Sequence, residues 1–368
     1  MSSFPFLRAS CAIGLTWFCS LAFGQSQQIT PQQLQAWLQQ YPEADTDRDG
    51  RLSEGEARAY HAKLQGANKG QPTPLEPTHL DLRYGDHERQ TIDVWTPSSE
   101  KSFPLIIYFH GGGFVSGDKS SLRNSRLLQQ CRDAGVAVAA VNYRFLSPSV
   151  ALQDCLHDAA RAVQYLRHQA EKLGVDKSRV AALGSSAGAG ISLWLAFHPE
   201  MAKPDSADPI ARESTRLSCA AAFEVQYTYD LTRWEEPFGK EAKQRFGGIY
   251  NSPSLYGLAS EEDFLRPAGK EIRAECDFYE MISADDPPIF LRSSLPNLDL
   301  TNVNQYLHHP RHAELLLKRC QERNVTVAAR ITALSIEPPA ESPPHAEPFL
   351  FHYLKADSTI PAGSKIKP

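Results

Sequence analysis

The chain has 368 residues, 42% of them hydrophobic and 22% charged, with a formal net charge of -5. That length and balance suit one large globular domain with a small appendage. With no basic block and an acidic balance, nucleic acid is excluded as an expected partner.

Residues 1–24 read as an export signal. Arg8 supplies a positive start, an apolar run follows from Ala9 to Phe23, and Ala22-Phe23-Gly24 is a small-x-small cleavage site before Gln25. Ser10, Thr16 and Ser20 break the run, which is too short for a membrane anchor, and no later stretch is long and apolar enough to span a bilayer. The expected location is secreted or periplasmic. Cys11 and Cys19 would leave with the signal. Cys131, Cys155, Cys219, Cys276 and Cys320 remain, an odd number, so at least one thiol is expected to stay unpaired.

Residues 25–65 carry the next motif. Asp45-x-Asp47-x-Asp49-Gly50, followed by Glu56, has the spacing D-x-D-x-D-G-x5-E. Calcium wants several oxygen ligands. Asp45, Asp47 and Asp49 offer carboxylates, Arg51 a backbone carbonyl, Ser53 a direct or water-mediated contact and Glu56 a bidentate pair, with Gly50 at the sharp turn. Leu34, Trp37, Leu38 and Tyr41 recur at helical spacing before the loop, with Thr30 and Pro31 as start signals. Ser53 and Glu56 form a capping box for the helix after it. The segment resembles an EF-hand. A single loop implies a structural Ca²⁺ site of weak affinity that docks residues 30–65 onto the main domain, and the plainer reading of the same residues is a solvated acidic turn.

A connector over residues 66–77 leads into a main domain over 78–356, and residues 357–368 read as a flexible tail. Strand-like runs are Leu80–Tyr84, Thr91–Trp95, Leu105–Phe109, Val136–Tyr143, Val180–Leu183, Cys219–Val225, Ile289–Arg292 and Val325–Ile331. Helix-like runs are Ser121–Ala134, Ala151–Leu173, Ala187–Phe197, Pro310–Arg323 and Glu347–Ala356. This alternation predicts an α/β fold with a mostly parallel central sheet flanked by helices, the first two strands forming an antiparallel hairpin at its edge. Residues 227–286 interrupt the alternation as an insertion. Its aromatics (Tyr227, Tyr229, Trp234, Phe238, Phe246, Tyr250, Tyr256) serve either as a stacking surface or as the insertion's own core.

Gly184-Ser185-Ser186-Ala187-Gly188 fits G-x-S-x-G between a predicted strand and a predicted helix, the context of a nucleophile on a sharp turn. Ser186 is the expected nucleophile, since Ser185 lacks glycines two residues to either side. Some 75 residues earlier, His110-Gly111-Gly112-Gly113 follows a strand. The backbone N–H groups of Gly112 and Gly113, with that of Ala187, are expected to form an oxyanion hole. A phosphate loop is the alternative, but the Lys-Ser/Thr ending of a P-loop is absent.

These motifs, with Gln90–Trp95, Phe109–Gly117 and Val141-Asn142-Tyr143-Arg144, resemble an α/β-hydrolase esterase or lipase of the HGGG class, close to feruloyl and acetyl-xylan esterase-like hydrolases. The resemblance covers roughly residues 78–355. It implies an acid after the strand that follows Asp286-Pro287-Pro288, and a histidine between the last strand and last helix. Asn297 stands where that acid is expected, so the nearest carboxylate, Asp299, is the candidate. Asp285 and Asp286 precede the strand and read as turn residues. His345 is the candidate base, with His308 and His309 as rivals and His352 as a helix residue.

The expected function is a carboxylic ester hydrolase with a serine nucleophile and an acyl-enzyme intermediate, acting on a small or polysaccharide-linked ester such as an acetyl or feruloyl group. No cofactor is expected for the catalysis. The alternatives are a serine peptidase or amidase, or a non-catalytic calcium-dependent binding protein on a hydrolase scaffold.

Overall fold

A computed structural model of the chain describes residues 34, 38, 44–67, 74–97, 102–247, 252–297 and 299–356. The expected export signal, the tail, and Thr30, Pro31, Trp37, Tyr41 and Tyr250 lie outside the described residues. Among the described residues no helix is long and apolar enough to cross a membrane. The chain divides into two compact units, Met1–Thr73 and Pro74–Pro368.

In the first unit, helix α1 (Glu54–Ala67) starts directly after the acidic loop. Its first turn is capped reciprocally: Glu56 N donates to Ser53 Oγ (3.2 Å) and Ser53 N to the Glu56 carboxylate (3.1 Å). Buried Ala44, Leu52 and Ala57 pack with Leu34, Leu38 and Tyr60 as a small core.

The second unit is built on one eight-stranded sheet: β1 (His79–Arg83), β2 (Thr91–Trp95), β3 (Phe103–Phe109), β4 (Ala137–Asn142), β5 (Val175–Ser185), β6 (Cys219–Phe223), β7 (Ile289–Ser293) and β8 (Val327–Ile331). The spatial order is β1-β2-β4-β3-β5-β6-β7-β8. β2 runs antiparallel to both of its neighbours, and every pairing from β4 to β8 is parallel. Buried apolar residues alternate along these strands. Ile106, Val138, Ala181 and Ala221 face α2 (Arg126–Asp133) and the last helix, whereas Ile107, Ala139, Ala182 and Ala220 face α3 (Leu152–His168) and α4 (Ala187–Phe197). The five cysteines of this unit are buried and free, and burial pushes the Cys320 thiol up to about 12.

β2 departs from the alternation expected of an edge hairpin: all five of its residues are buried, because β1 is the edge and β4 covers its other side. Its fully buried Asp93 is neutralised by Lys119 Nζ and by Arg123 Nη2 (3.0 Å). These bonds anchor the segment that follows the glycine loop after β3.

The insertion consists of short helices, the longest being α5 (Pro267–Glu275). Tyr227, Tyr229, Trp234, Phe246 and Tyr256 are buried in it. These described aromatics are therefore packed core, continuous with that of the sheet and its helices. Glu275 joins α5 to the main body, because its Oε1 lies 3.0 Å from His157 Nε2 on α3 and 3.2 Å from His198 Nε2 at the end of α4. The Nδ1 of His198 faces the carbonyl of Pro199 at 2.8 Å and must carry a proton. Its bond to Glu275 then needs a second proton on Nε2, so the contact favours the imidazolium. Although burial opposes it, the hydrogen bond to Glu275 leaves the His198 pKa raised, and the bonds from His157 and His198 lower Glu275 to about 2.

A histidine whose pKa rises on folding stabilises below its unfolded value and loses that contribution as pH climbs through the folded value. Glu275→Gln is therefore expected to cost about 1–2 kcal/mol at pH 6 and markedly less at pH 9. The check is the difference in urea midpoint between parent and variant at each pH. An equal difference at both would count against a charged His198.

Candidate active site

β5 ends at Ser185 and α4 begins at Ala187, so Ser186 alone makes the turn. Its φ of 54° and ψ of -121° are strained for a residue with a side chain, a cost of about 1–3 kcal/mol that the packed surroundings must hold. Ser186 N donates to Phe223 O at the end of β6 (2.9 Å), and Gly190 N donates to Ser186 O (3.1 Å). Gly188 permits the close packing, since a Cβ there would lie 2.0 Å from Phe109 O. Residues 187–197 are buried all round, which fixes the helix against sheet and insertion.

The glycine loop after β3 packs on this turn. A Cβ at Gly111 would lie 2.9 Å from Ser185 O and 3.5 Å from Ser186 Cβ. Gly112 has φ 115°, a conformation only glycine tolerates, and its carbonyl accepts from Val115 N, Ser116 N and Ser116 Oγ (each 3.1 Å). Gly113 also has positive φ. The loop thus sets Gly111 against the turn made by Ser185 and Ser186. Behind it, His110 stacks on Tyr143 at 4.5 Å. The Nδ1 of His110 donates to Gly111 O (2.7 Å), and burial pushes its pKa down to about 4.

The residue that meets the Ser186 hydroxyl is His308: its Nε2 lies 2.8 Å from Ser186 Oγ. His308 caps the short helix α6 (Val303–Leu307), which precedes α7 (Pro310–Glu322). Its Nδ1 faces two oxygens of Asn304, the carbonyl at 3.1 Å and Oδ1 at 3.0 Å. A carbonyl only accepts, so the proton sits on Nδ1 and the lone pair on Nε2 points at the serine hydroxyl. Burial lowers the His308 pKa to about 4, against a smaller raising effect of the Asn304 backbone. The ring is therefore neutral at pH 7.

Two of the expected partners lie elsewhere. His345 is exposed at the start of α8 (Ala346–Leu354), with Nδ1 3.1 Å from Arg330 Nη1. After β8 the chain makes a tight turn at Thr332–Leu334 and a bridge from Ile331 to Ile336, and His345 starts a helix and makes no bond to Ser186. Asp299 is exposed in the loop after β7 and makes no hydrogen bond or ion pair among the described residues; Asn297 is exposed too. The same loop, which leads on to α6, delivers His308. His309 caps α7 through Nδ1, and His312 is wholly buried, its pKa pushed down to about 3 by that burial.

Asn304 is absent from the sequence-level candidates, although it stands four residues before His308, the spacing that places two side chains on one helical face. Glu224, one residue beyond β6, is a second omission. Its φ is 50°, and its carboxylate accepts from Ser294 N (2.9 Å) and Ser294 Oγ (2.6 Å). It thus clamps the start of the loop that carries His308, while Phe223 beside it receives the Ser186 N–H. Nothing in the local sequence marks that position.

In the first unit, one carboxylate oxygen each from Asp45, Asp47 and Asp49 lie within 4.8 Å of one another. Gly50 N donates to Asp45 Oδ2 (3.0 Å), while Asp45 Oδ1 is buried with no hydrogen-bond partner among the described residues. The Glu56 carboxylate is turned toward Thr46 N (2.8 Å) and Ser53 Oγ (2.8 Å). The oxygen-only donor set and the orphaned Asp45 oxygen fit a hard cation.

The family model BD-FAE matches residues 92–265, from β2 into the insertion. A probable isoprenylcysteine alpha-carbonyl methylesterase of Arabidopsis thaliana is 26% identical over 209 residues, 56% of this chain and 41% of that protein. Esterase LipI of Mycobacterium tuberculosis is 31% identical over 132 residues, 33% of this chain and 41% of that protein. The chain spans about two fifths of the length of these curated relatives. The crystal structure of an acetyl ester-xyloside bifunctional hydrolase from Caldicellulosiruptor lactoaceticus matches with a TM-score of 0.51 and 19% identity, covering 70% of this chain and 86% of that one. The fold is thus that of the α/β-hydrolase esterases, and the relatives are esterases and hydrolases of that superfamily.

Proposed function

We propose that this chain, which has the α/β-hydrolase fold and esterase relatives, is a secreted serine carboxylesterase. The observation that carries the reading is Ser186 Oγ 2.8 Å from the unprotonated nitrogen of His308, on a strained turn. His308 takes the hydroxyl proton as Oγ attacks the ester carbonyl. The backbone N–H groups of Gly112, Gly113 and Ala187 receive the oxyanion. The imidazolium returns its proton to the leaving alcohol, and water then enters by the same route to release the acid. The Nδ1–H stays bonded to Asn304 throughout, so an amide holds the ring where a carboxylate is usual.

Two surface grooves, of about 350 and 820 Å³, are lined by neither Ser186 nor His308. An exported esterase meets polymers outside the cell, and we assign the substrate to acylated polysaccharide. The test is hydrolysis of p-nitrophenyl acetate by the parent and by Ser186→Ala, with an expected loss of roughly 10³-fold or more. Turnover by the variant at the parental rate would sink the serine mechanism. The amide beside His308 favours one other reading, a calcium-dependent binding protein, which predicts no turnover of any small ester by the parent.

Calcium at the acidic loop is part of the same reading. Asp45, Asp47 and Asp49, the Arg51 carbonyl, Ser53 and Glu56 would hold the ion, which would stabilise the loop and take no part in the chemistry. Titration calorimetry of the full chain with CaCl₂ is expected to show one site with Kd of about 10⁻⁴ to 10⁻³ M, as in extracellular modules, and none in Asp45→Asn. Equal heats from both proteins would remove the site.

A further inference from the structure

The larger groove lies between the β1–β2 turn and the loop after β4. Three arginines line it. Arg144 is paired with Asp158 on α3 (2.8 Å) and Arg161 with Asp208. Arg89 differs, since it makes no ion pair among the described residues. Its Nε donates to Tyr143 O (3.0 Å) and its Nη2 to Gly117 O (3.2 Å), with His110 Nε2 at 3.4 Å. Its guanidinium lies 3.5 Å above the centre of the Phe145 ring. Every partner is uncharged, and burial pulls the arginine pKa down. Asp86 also lines the groove and Asp118 and Glu88 act on Arg89 from a distance, but none bonds to it; a half-buried cation over an aromatic ring, with Nη1 unbonded among the described residues, is preorganised for an anion brought by a ligand. The hydroxyls of Ser147 and Ser149 also line the groove, and at about 820 Å³ it has room for a disaccharide. Its position matters because Gly117 and His110 belong to the glycine loop beside Ser186.

We propose that this groove is a subsite for an acidic saccharide, with Arg89 binding a uronate carboxylate and Phe145 backing it. Resting on the esterase reading, this narrows the substrate to esters of uronic-acid-containing polysaccharide. One guanidinium–carboxylate bond supports a discrimination of about tenfold over a neutral sugar.

The test is titration calorimetry of the full chain with digalacturonate and, as the neutral control, a galactose disaccharide. Digalacturonate is expected to bind about tenfold more tightly than the neutral sugar. Arg89→Gln is expected to erase that preference. Ser149→Glu, at an exposed rim residue outside the core, is expected to weaken digalacturonate binding about fivefold or more by placing a like charge in the groove, and it serves if Arg89→Gln fails to fold. Equal affinity for the two sugars, or digalacturonate binding unchanged in both variants, overturns the proposal. Hydrolysis of p-nitrophenyl acetate is followed on the same samples. Turnover without digalacturonate preference overturns the subsite alone, whereas preference without turnover supports the subsite and overturns the esterase reading.

Discussion

Replacing His308 with alanine is expected to lower kcat/KM for p-nitrophenyl acetate by roughly 10³- to 10⁴-fold, close to the effect of Ser186→Ala, while His345→Ala stays within about twofold of the parent. The asymmetry follows from position. His308 Nε2 is 2.8 Å from the nucleophile, and His345 is exposed beside Arg330. A nucleophile and its base act as one unit, so Ser186→Ala/His308→Ala is expected to be little worse than either single variant. The reverse result, His345→Ala inactive and His308→Ala active, would mean that the loop after β8 reaches the site in solution, and the Ser186–His308 pairing would be wrong.

The Ser186 turn and the glycine loop are legible because their constraints are local. A strained turn between a strand and a helix needs small residues at fixed offsets, and a backbone that aims N–H groups needs glycine at positive φ. Both leave a pattern in a few consecutive residues. The strands were legible for a similar reason, as apolar runs buried on two faces of a parallel sheet. β2 was the partial exception, since Asp93 reads as a solvent-facing residue until Lys119 and Arg123, some 30 positions on, are seen to neutralise it.

The base and its partner were harder because their constraints are not local. Chain order placed a histidine after β8, yet a loop's reach depends on how the chain leaves the strand. The Ile331–Ile336 bridge closes off that exit, while the loop after β7 is free to bring α6 over the turn. Asp299 drew attention as the nearest carboxylate, but distance along a loop says little about distance in space. Asn304 carries a signal in its four-residue spacing from His308, but an amide at that spacing is common on helices and does not by itself mark a base. Likewise the insertion's aromatics looked like a stacking surface, and only burial shows that Tyr227, Trp234 and Tyr256 pack inward.

Converting Asn304 to aspartate is expected to raise kcat on p-nitrophenyl acetate at pH 8 by about tenfold and to move the acid limb of the pH–rate profile upward by about one to two units. In the parent, burial holds the His308 pKa at about 4. Activity requires the neutral ring, so it should be lost only as pH falls through about 4, with a plateau across neutrality. That low pKa is also the weakness of the site: a ring that resists protonation is a poor base, and the imidazolium formed during attack meets only amide and carbonyl oxygens at Nδ1. A carboxylate 3 Å from Nδ1 stabilises that cation, which raises both the basicity and the pH at which the base protonates. Asn304→Ala keeps the backbone carbonyl of residue 304 as an acceptor and loses only Oδ1, so its rate is expected to fall by about tenfold or less. The measurement is kcat against pH from 3.5 to 9 for the three proteins. If Asn304→Asp leaves both rate and limb unchanged, residue 304 does not hold His308 in solution, and Glu224, whose carboxylate already clamps the same loop, becomes the residue to replace next.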